Sequence, residues 1–197
     1  MSISHISRRT AAQTSILNSA RAEVEKNGVL GLRVADVAAG ANCAITQIYR
    51  YFGDRDGLLA TVLGDVYEEL VTTSLQRYMD NLRSLEVITI DDLVNTLPTP
   101  SQLSAMTSQE VRIQILAVSV KNLALRERIE KVSRDALPEW EKALDYVESR
   151  LEPGITLDRR IFTIMILVQT MYYRTLLGDA GFTDDEYRQF LRDKITL

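Results

Sequence analysis

Apolar residues recur along nearly the whole chain at intervals of three and four, the spacing of one face of an α-helix. Ala12, Ile16, Ala20 and Val24, with Leu17 beside them, form the first such stripe. Thr10-Ala11-Ala12-Gln13 has the form of a capping box and Gly28 supplies a stop, so the pattern predicts a helix over Thr10–Asn27. Val34, Val37, Ala38 and Ala41 mark a very short second helix. Asn42 stands where that helix must end, and asparagine tolerates the left-handed backbone used at such ends. A third short helix follows, with Ile45, Ile48 and Phe52 on one side. Gly53-Asp54 breaks it, and Asp54 suits the N-cap of a long fourth helix from about Arg55 to Leu82. Leu58, Leu59, Val62, Val66, Leu70 and Leu75 give that helix its buried side.

Beyond it, Pro98 and Pro100 mark a break between short helical pieces. Val111–Leu123 and Leu125–Leu151 read as helices, the second expected to kink or stop at Pro138. Glu152-Pro153-Gly154 is a turn; Leu157–Leu177 is a strongly apolar helix ended by Gly178, and Thr183 caps a last one to about Lys194. No strand alternation, internal repeat or low-complexity run interrupts the series. The fold class is all-α.

A chain of 197 residues, 46% apolar and 25% charged, has the size and composition of a globular protein with a substantial core. The most apolar run, Ile161–Val168, follows Arg159 and Arg160 and soon meets Gln169 and Arg174, too short and too polar to span a bilayer. The first six residues lack a charged segment followed by an apolar core, so no secretion signal is expected. The single cysteine, Cys43, excludes an internal disulfide and suits the cytosol. Net charge is −4, but residues 1–60 hold seven basic against five acidic side chains. That leaves +2 on the first third and −6 on the rest, and nucleic acid responds to a local basic face.

The informative stretch is Arg33–Leu59, RVADVAAGANCAITQIYRYFGDRDGLL. Two short helices joined by a tight turn make a helix-turn-helix, in which the first braces the second and the second faces the major groove. On the third helix Thr46, Gln47, Arg50 and Tyr51 spread opposite the apolar side, with Tyr49 at the boundary. Glutamine, threonine and arginine hydrogen-bond to base edges, and tyrosine hydroxyls serve phosphates. Arg8 and Arg9 precede the first helix, either as an arm toward phosphate or as an unstructured basic end.

Val37-Ala38, Ala41-Asn42, Tyr49-Arg50-Tyr51-Phe52, Arg55 and Leu58 stand at the spacings of the N-terminal pattern of the tetracycline-repressor (TetR) family of bacterial regulators, which this chain resembles over about its first quarter. The resemblance implies a three-helix DNA-binding head over residues 1–53, joined by a long helix to a ligand-binding and dimerisation body over 54–197. It assigns Ile45, Thr46, Gln47 and Arg50 to the recognition surface, and Tyr49, Tyr51 and Arg55 to phosphates. Asn42 replaces the usual turn glycine, and Cys43 a small aliphatic residue, as a buried small hydrophobe. Arg33 and Val34 stand where the family places Thr or Ser, so the second helix lacks its usual cap, and Arg33 is free to reach a phosphate instead.

The helix Leu157–Leu177 is apolar on more sides than one packed face needs, which pairing with a second copy explains. The family builds its homodimer from the last two long helices, here Leu125–Leu151 and Leu157–Leu177, with Ile161, Met165, Val168 and Tyr172 at the interface. The resemblance further implies a small-molecule inducer bound in the body, releasing a repressor from a palindromic double-stranded operator. Tyr67, Trp140, Tyr172 and Tyr173, large side chains with polar tips, are the candidate pocket lining. No cofactor is implied.

Two other readings compete with this one. An enzyme lacks support: His5 is the sole histidine, and there is no glycine-rich phosphate loop, cysteine pair or His-Glu helix motif. The acid pairs Glu68-Glu69, Asp91-Asp92 and Asp184-Asp185 read as solvated charges. The other rival is a helical interaction protein of the same fold that has lost DNA binding and acts on a protein partner.

Overall fold

The computed structural model describes residues 9–97, 99, 107–164 and 183–196. The expectations for His5, Arg8, Pro98, Pro100, Met165, Val168, Tyr172, Tyr173 and Gly178 lie outside them. The described helices are α1 (Ala11–Gly31), α2 (Val34–Gly40), α3 (Ile45–Phe52), α4 (Arg55–Leu82), α5 (Ile90–Thr96), α6 (Thr107–Ser119), α7 (Leu123–Glu148), α8 (Arg159–Ile164) and α9 (Asp184–Lys194). Strand pairing among the described residues is limited to the isolated bridges Ile88–Leu151 and Leu157–Thr196. No described helix is long and apolar enough to cross a membrane. Two compact units result, residues 1–69 with 111–132 and residues 70–110 with 133–197.

In the first unit α1 begins as its sequence requires. Thr10 accepts the Gln13 amide while Gln13 accepts that of Thr10, a complete capping box. The expected stop at Gly28 is a break, with φ 70° and ψ 169°, after which one more turn follows to Gly31. That break strips the buried Val29 N–H of its helical partner. Gln114 of α6 replaces it, accepting the bond at 2.8 Å. Asn122 makes a second amide clamp, donating to the Asp56 carbonyl at 2.9 Å while accepting from Leu125 N–H at 2.9 Å. The buried stripe of α1 is Ile16, Leu17, Ala20, Val24 and Val29; α4 contributes Leu58, Leu59, Val62, Leu63 and Val66.

The α3–α4 corner is drawn tight by Asp54, whose Oδ1 accepts Gly57 N–H at 2.8 Å as the sequence anticipated. A Cβ at Gly57 would fall far inside van der Waals distance of the Phe52 carbonyl oxygen. Backbone there has no rotamer by which to withdraw. On α4, Leu70 and Leu75 are only half-buried, unlike the other four residues of the predicted stripe.

In the second unit Leu82, Ile88, Leu93, Val94, Leu144, Val147, Leu157, Phe162, Leu191 and Ile195 are buried in one cluster. Helices α5 and α9 open with capping boxes, Thr89 with Asp92 and Thr183 with Glu186. Helix α7 runs unbroken through Pro138, against expectation. Pro138 stands sixteenth in a 26-residue helix, where tertiary packing along the rest of its length outweighs the lost hydrogen bond. The last apolar helix begins at Arg159, two residues later than predicted, after Asp158 Oδ1 has accepted the amides of Arg160 and Ile161.

The acid pairs are not merely solvated. Glu68 pairs with Arg128, Glu69 with Arg21 at 2.6 Å, Asp91 with Arg192 at 2.6 Å, Asp92 caps α5, and Asp184 accepts from Thr99 at 2.9 Å. Asp185, 98% exposed at its side chain, has only a long contact of 3.9 Å to Arg188. Adjacent acids point to different sides of a helix, so each finds its own partner.

Two outcomes follow. Gly57→Ala is expected to cost about 2–3 kcal/mol in urea unfolding, because the corner must open to admit the methyl group. Glu148 lies below its ordinary value of 4.5 through its hydrogen bonds from Arg159, and Asp92 below 3.8 through those of Thr89. Their folded values lie beneath their unfolded ones, so the stability they add is present above about pH 4.5 and lost as acid titrates the folded carboxylates. Melting temperature therefore drops in that acid window, and Glu148→Gln flattens part of the drop while lowering the neutral-pH value.

Candidate nucleic-acid interface

The turn between α2 and α3 is a Schellman motif. Cys43 N–H donates to the Ala38 carbonyl at 3.0 Å and Asn42 N–H to that of Ala39 at 3.1 Å, with Asn42 at φ 51°. Asn42 thus adopts the left-handed backbone its position in the sequence predicted. Cys43 is half-buried rather than buried. Helix α2 starts at Arg33 with no side-chain cap, as the missing Thr or Ser implied.

Helix α3 leans on a single residue. Ile48 is 0% exposed, whereas Phe52 is half-buried and Ile45 is 40% exposed. The expected apolar side of three residues is therefore one anchor, and Ile45 joins the outer surface. Thr46 and Arg50 are exposed, Tyr49 is 41% exposed, and Gln47 and Tyr51 are half-buried. Such a helix offers most of its side chains outward, with hydroxyl, amide and guanidinium groups among them. Gly53, at φ 82°, ends it.

The arginines are placed differently from one another. The Arg50 guanidinium lies over the Tyr51 ring, 5.1 Å from its centroid, with Nη2 3.5 Å from the Tyr51 hydroxyl. That contact aligns the two outward groups. Arg55 donates to the Leu32 carbonyl at 3.2 Å, which lays it beside the start of α2 and next to Arg33. Arg33 is exposed and has no ion pair among the described residues.

Arg9 is not a loose basic end. It grips Asp65 of α4 with two hydrogen bonds, 2.5 and 2.9 Å, and this pairing raises its pKa. Arg21 is likewise committed to Glu25 and Glu69. Two of the head's basic groups are thus neutralised from α4, leaving Lys26, Arg33, Arg50 and Arg55 without an ion pair among the described residues. Arg9, Tyr51, Phe52, Thr61, Asp65 and Arg128 border an open cleft of about 440 Å³. The Arg9–Asp65 and Gln114–Val29 contacts escaped sequence reading, because partners 56 and 85 residues apart leave no local signal.

The other predicted residues scatter. Tyr67 is half-buried on α4. Trp140 lies in the core of the second unit, stacked on Phe162 at 6.1 Å. Ile161 is half-buried and packs against that same core. Among the described residues no group of histidines, cysteines or carboxylates has the arrangement of a metal site.

Comparison with known proteins bears on this head. Residues 16–62, spanning α1 through the first turns of α4, match the family of bacterial regulatory proteins named for tetR. The HTH-type transcriptional regulator BetI of Burkholderia ambifaria is 25% identical over 115 residues, 55% of this chain and 59% of the relative. The chain therefore spans under two thirds of the length of the curated relatives it matches. A Mesorhizobium loti protein assigned to the TetR family superposes with a TM-score of 0.65 at 15% identity, covering 94% of this chain and 95% of that one. The multidrug binding protein EbrR, in complex with imidazole, gives 0.58 at 19% identity over 96% and 97%. The fold is that of these proteins, a helix-turn-helix head with a helical body, and residues 16–62 carry the helix-turn-helix of the bacterial regulatory proteins of the tetR family.

Proposed function

We propose that the protein is a dimeric, ligand-responsive DNA-binding regulator, a repressor released from a palindromic operator by a small-molecule inducer. The observation that carries this reading is the outward face of α3. An eight-residue helix anchored by Ile48 alone presents Ile45, Thr46, Gln47 and Arg50 to base edges. Tyr49, Tyr51, Arg33 and Arg55 flank that face and serve phosphates, fixing register without reading sequence.

In this reading residues 1–53 form the DNA-binding head and 54–197 the body for ligand and partner. Dimerisation through Ile161, Met165, Val168 and Tyr172 sets two recognition helices about one DNA turn (~34 Å) apart, matching the operator's symmetry. The inducer binds the DNA-incompetent form more tightly and so withdraws the protein from DNA. The protein works in the bacterial cytoplasm and is not an enzyme.

Selection of bound sequences from a random DNA pool tests the reading. The intact protein is expected to enrich a palindrome. Arg50→Ala changes base preference at one position of each half-site at a cost of about 1–3 kcal/mol. Tyr49→Ala weakens all sequences alike. Absence of enrichment by intact, dimeric protein overturns the proposal in favour of a protein partner. Affinity is also expected to fall with salt, the slope being about −0.9 per phosphate neutralised. Arg33→Ala then lowers that slope by about one, and an unchanged slope removes Arg33 from the interface.

A further inference from the structure

The aromatic cluster of the second unit holds a polar group that its surroundings do not satisfy. Tyr78 projects from α4 with its ring 5.9 Å from that of Phe162 and 6.5 Å from that of Trp140, which stack on each other at 13°. Tyr78 is 8% exposed, and its hydroxyl is closed off from solvent with no hydrogen-bond partner among the described residues. Burial pushes the phenol pKa up, so the group stays a protonated donor. Buried hydroxyls are nearly always paired, because leaving one unpaired forfeits its bond to water. A lone trapped water is a poor substitute. It needs two to four polar partners, and Tyr78 clusters with hydrocarbon and aromatic side chains such as Met79, Leu82, Leu93 and Leu144.

We propose that the Tyr78 hydroxyl anchors the effector, donating a hydrogen bond to the acceptor oxygen of an uncharged, largely apolar molecule seated against Trp140 and Phe162. The inference rests on the reading of the chain as a ligand-responsive regulator and names the chemical class of its ligand. The described side chains of this cluster are apolar or aromatic, so an uncharged ligand avoids the desolvation cost that a charge would carry among them. A carbonyl oxygen on a hydrocarbon frame meets both demands. The hydroxyl gains its missing bond, and the rings gain apolar contact.

Three eight-carbon probes test this on the full chain: 2-octanone, octanoate and octylammonium. Trp140 is the chain's single tryptophan, so its emission reports on this cluster alone. The ketone is expected to raise the melting temperature and shift Trp140 emission saturably, and the two ions to do neither. Tyr78→Phe removes only the unsatisfied oxygen, so it keeps the unliganded melting temperature but binds the ketone five- to tenfold more weakly. A lowered melting temperature in unliganded Tyr78→Phe would show the hydroxyl already satisfied inside the protein and overturn the proposal. So would no saturable response to the ketone, an equal response by Tyr78→Phe, or equal binding of either ion. The DNA selection separates the two readings. Enrichment without a ketone response sinks the effector site alone. A Tyr78-dependent ketone response without enrichment sinks the DNA-binding reading and leaves the site standing.

Discussion

Eight residues are too few for a helix to hold its shape in water, so α3 exists only because its two ends and one side chain are held. Ile48 supplies the side chain, fully buried. The Schellman turn at Asn42 fixes the entry, while Gly53, Asp54 and the bare Cα of Gly57 fix the exit. Because so little of the helix is spent on packing, most of it remains available to a partner. A longer recognition helix would bury more of itself and offer proportionately less.

Around that helix the first unit is held by polar contacts distant in sequence. Gln114 restores the hydrogen bond lost where α1 breaks, Asn122 ties the α6–α7 connection to the first turn of α4, and Asp65 receives both Arg9 and Arg128. Each satisfies a group that would otherwise be stranded, which makes each more costly to remove than its net contribution implies. Residues 111–132 consequently belong with the helix-turn-helix as one compact unit. Gln114 thereby braces α1, and Asn122 the start of α4.

The second unit is organised by apolar burial, with its charges on the outside in local networks. Arg159 meets Glu148, Asp145 and Glu141 at once, while Arg192 joins α9 to Asp91 at the start of α5. Exposed pairs of this kind add little singly. They tie the start of α8 to the last turns of α7, and α9 to α5. Within this apolar interior the hydroxyl of Tyr78 and the Nε of Arg188 are buried without a partner among the described residues, and each such group calls for an explanation.

By itself the sequence determined the helical class, the bounds of α2, α3 and α4 to within a residue, the left-handed Asn42, the capping box at Thr10 and the caps at Asp54 and Thr183. All of these are set by side chains within four positions of the backbone they govern, so periodicity and capping chemistry reveal them. Tertiary structure alone decided that Ile45 faces outward, that α7 continues through Pro138, and that Arg9 is bound rather than loose. It also paired the acids that looked solvated, and it left Tyr78 without a partner. Each of these outcomes depends on groups brought together from distant parts of the chain or on how much surface a neighbour covers, and neither quantity is written in local spacing.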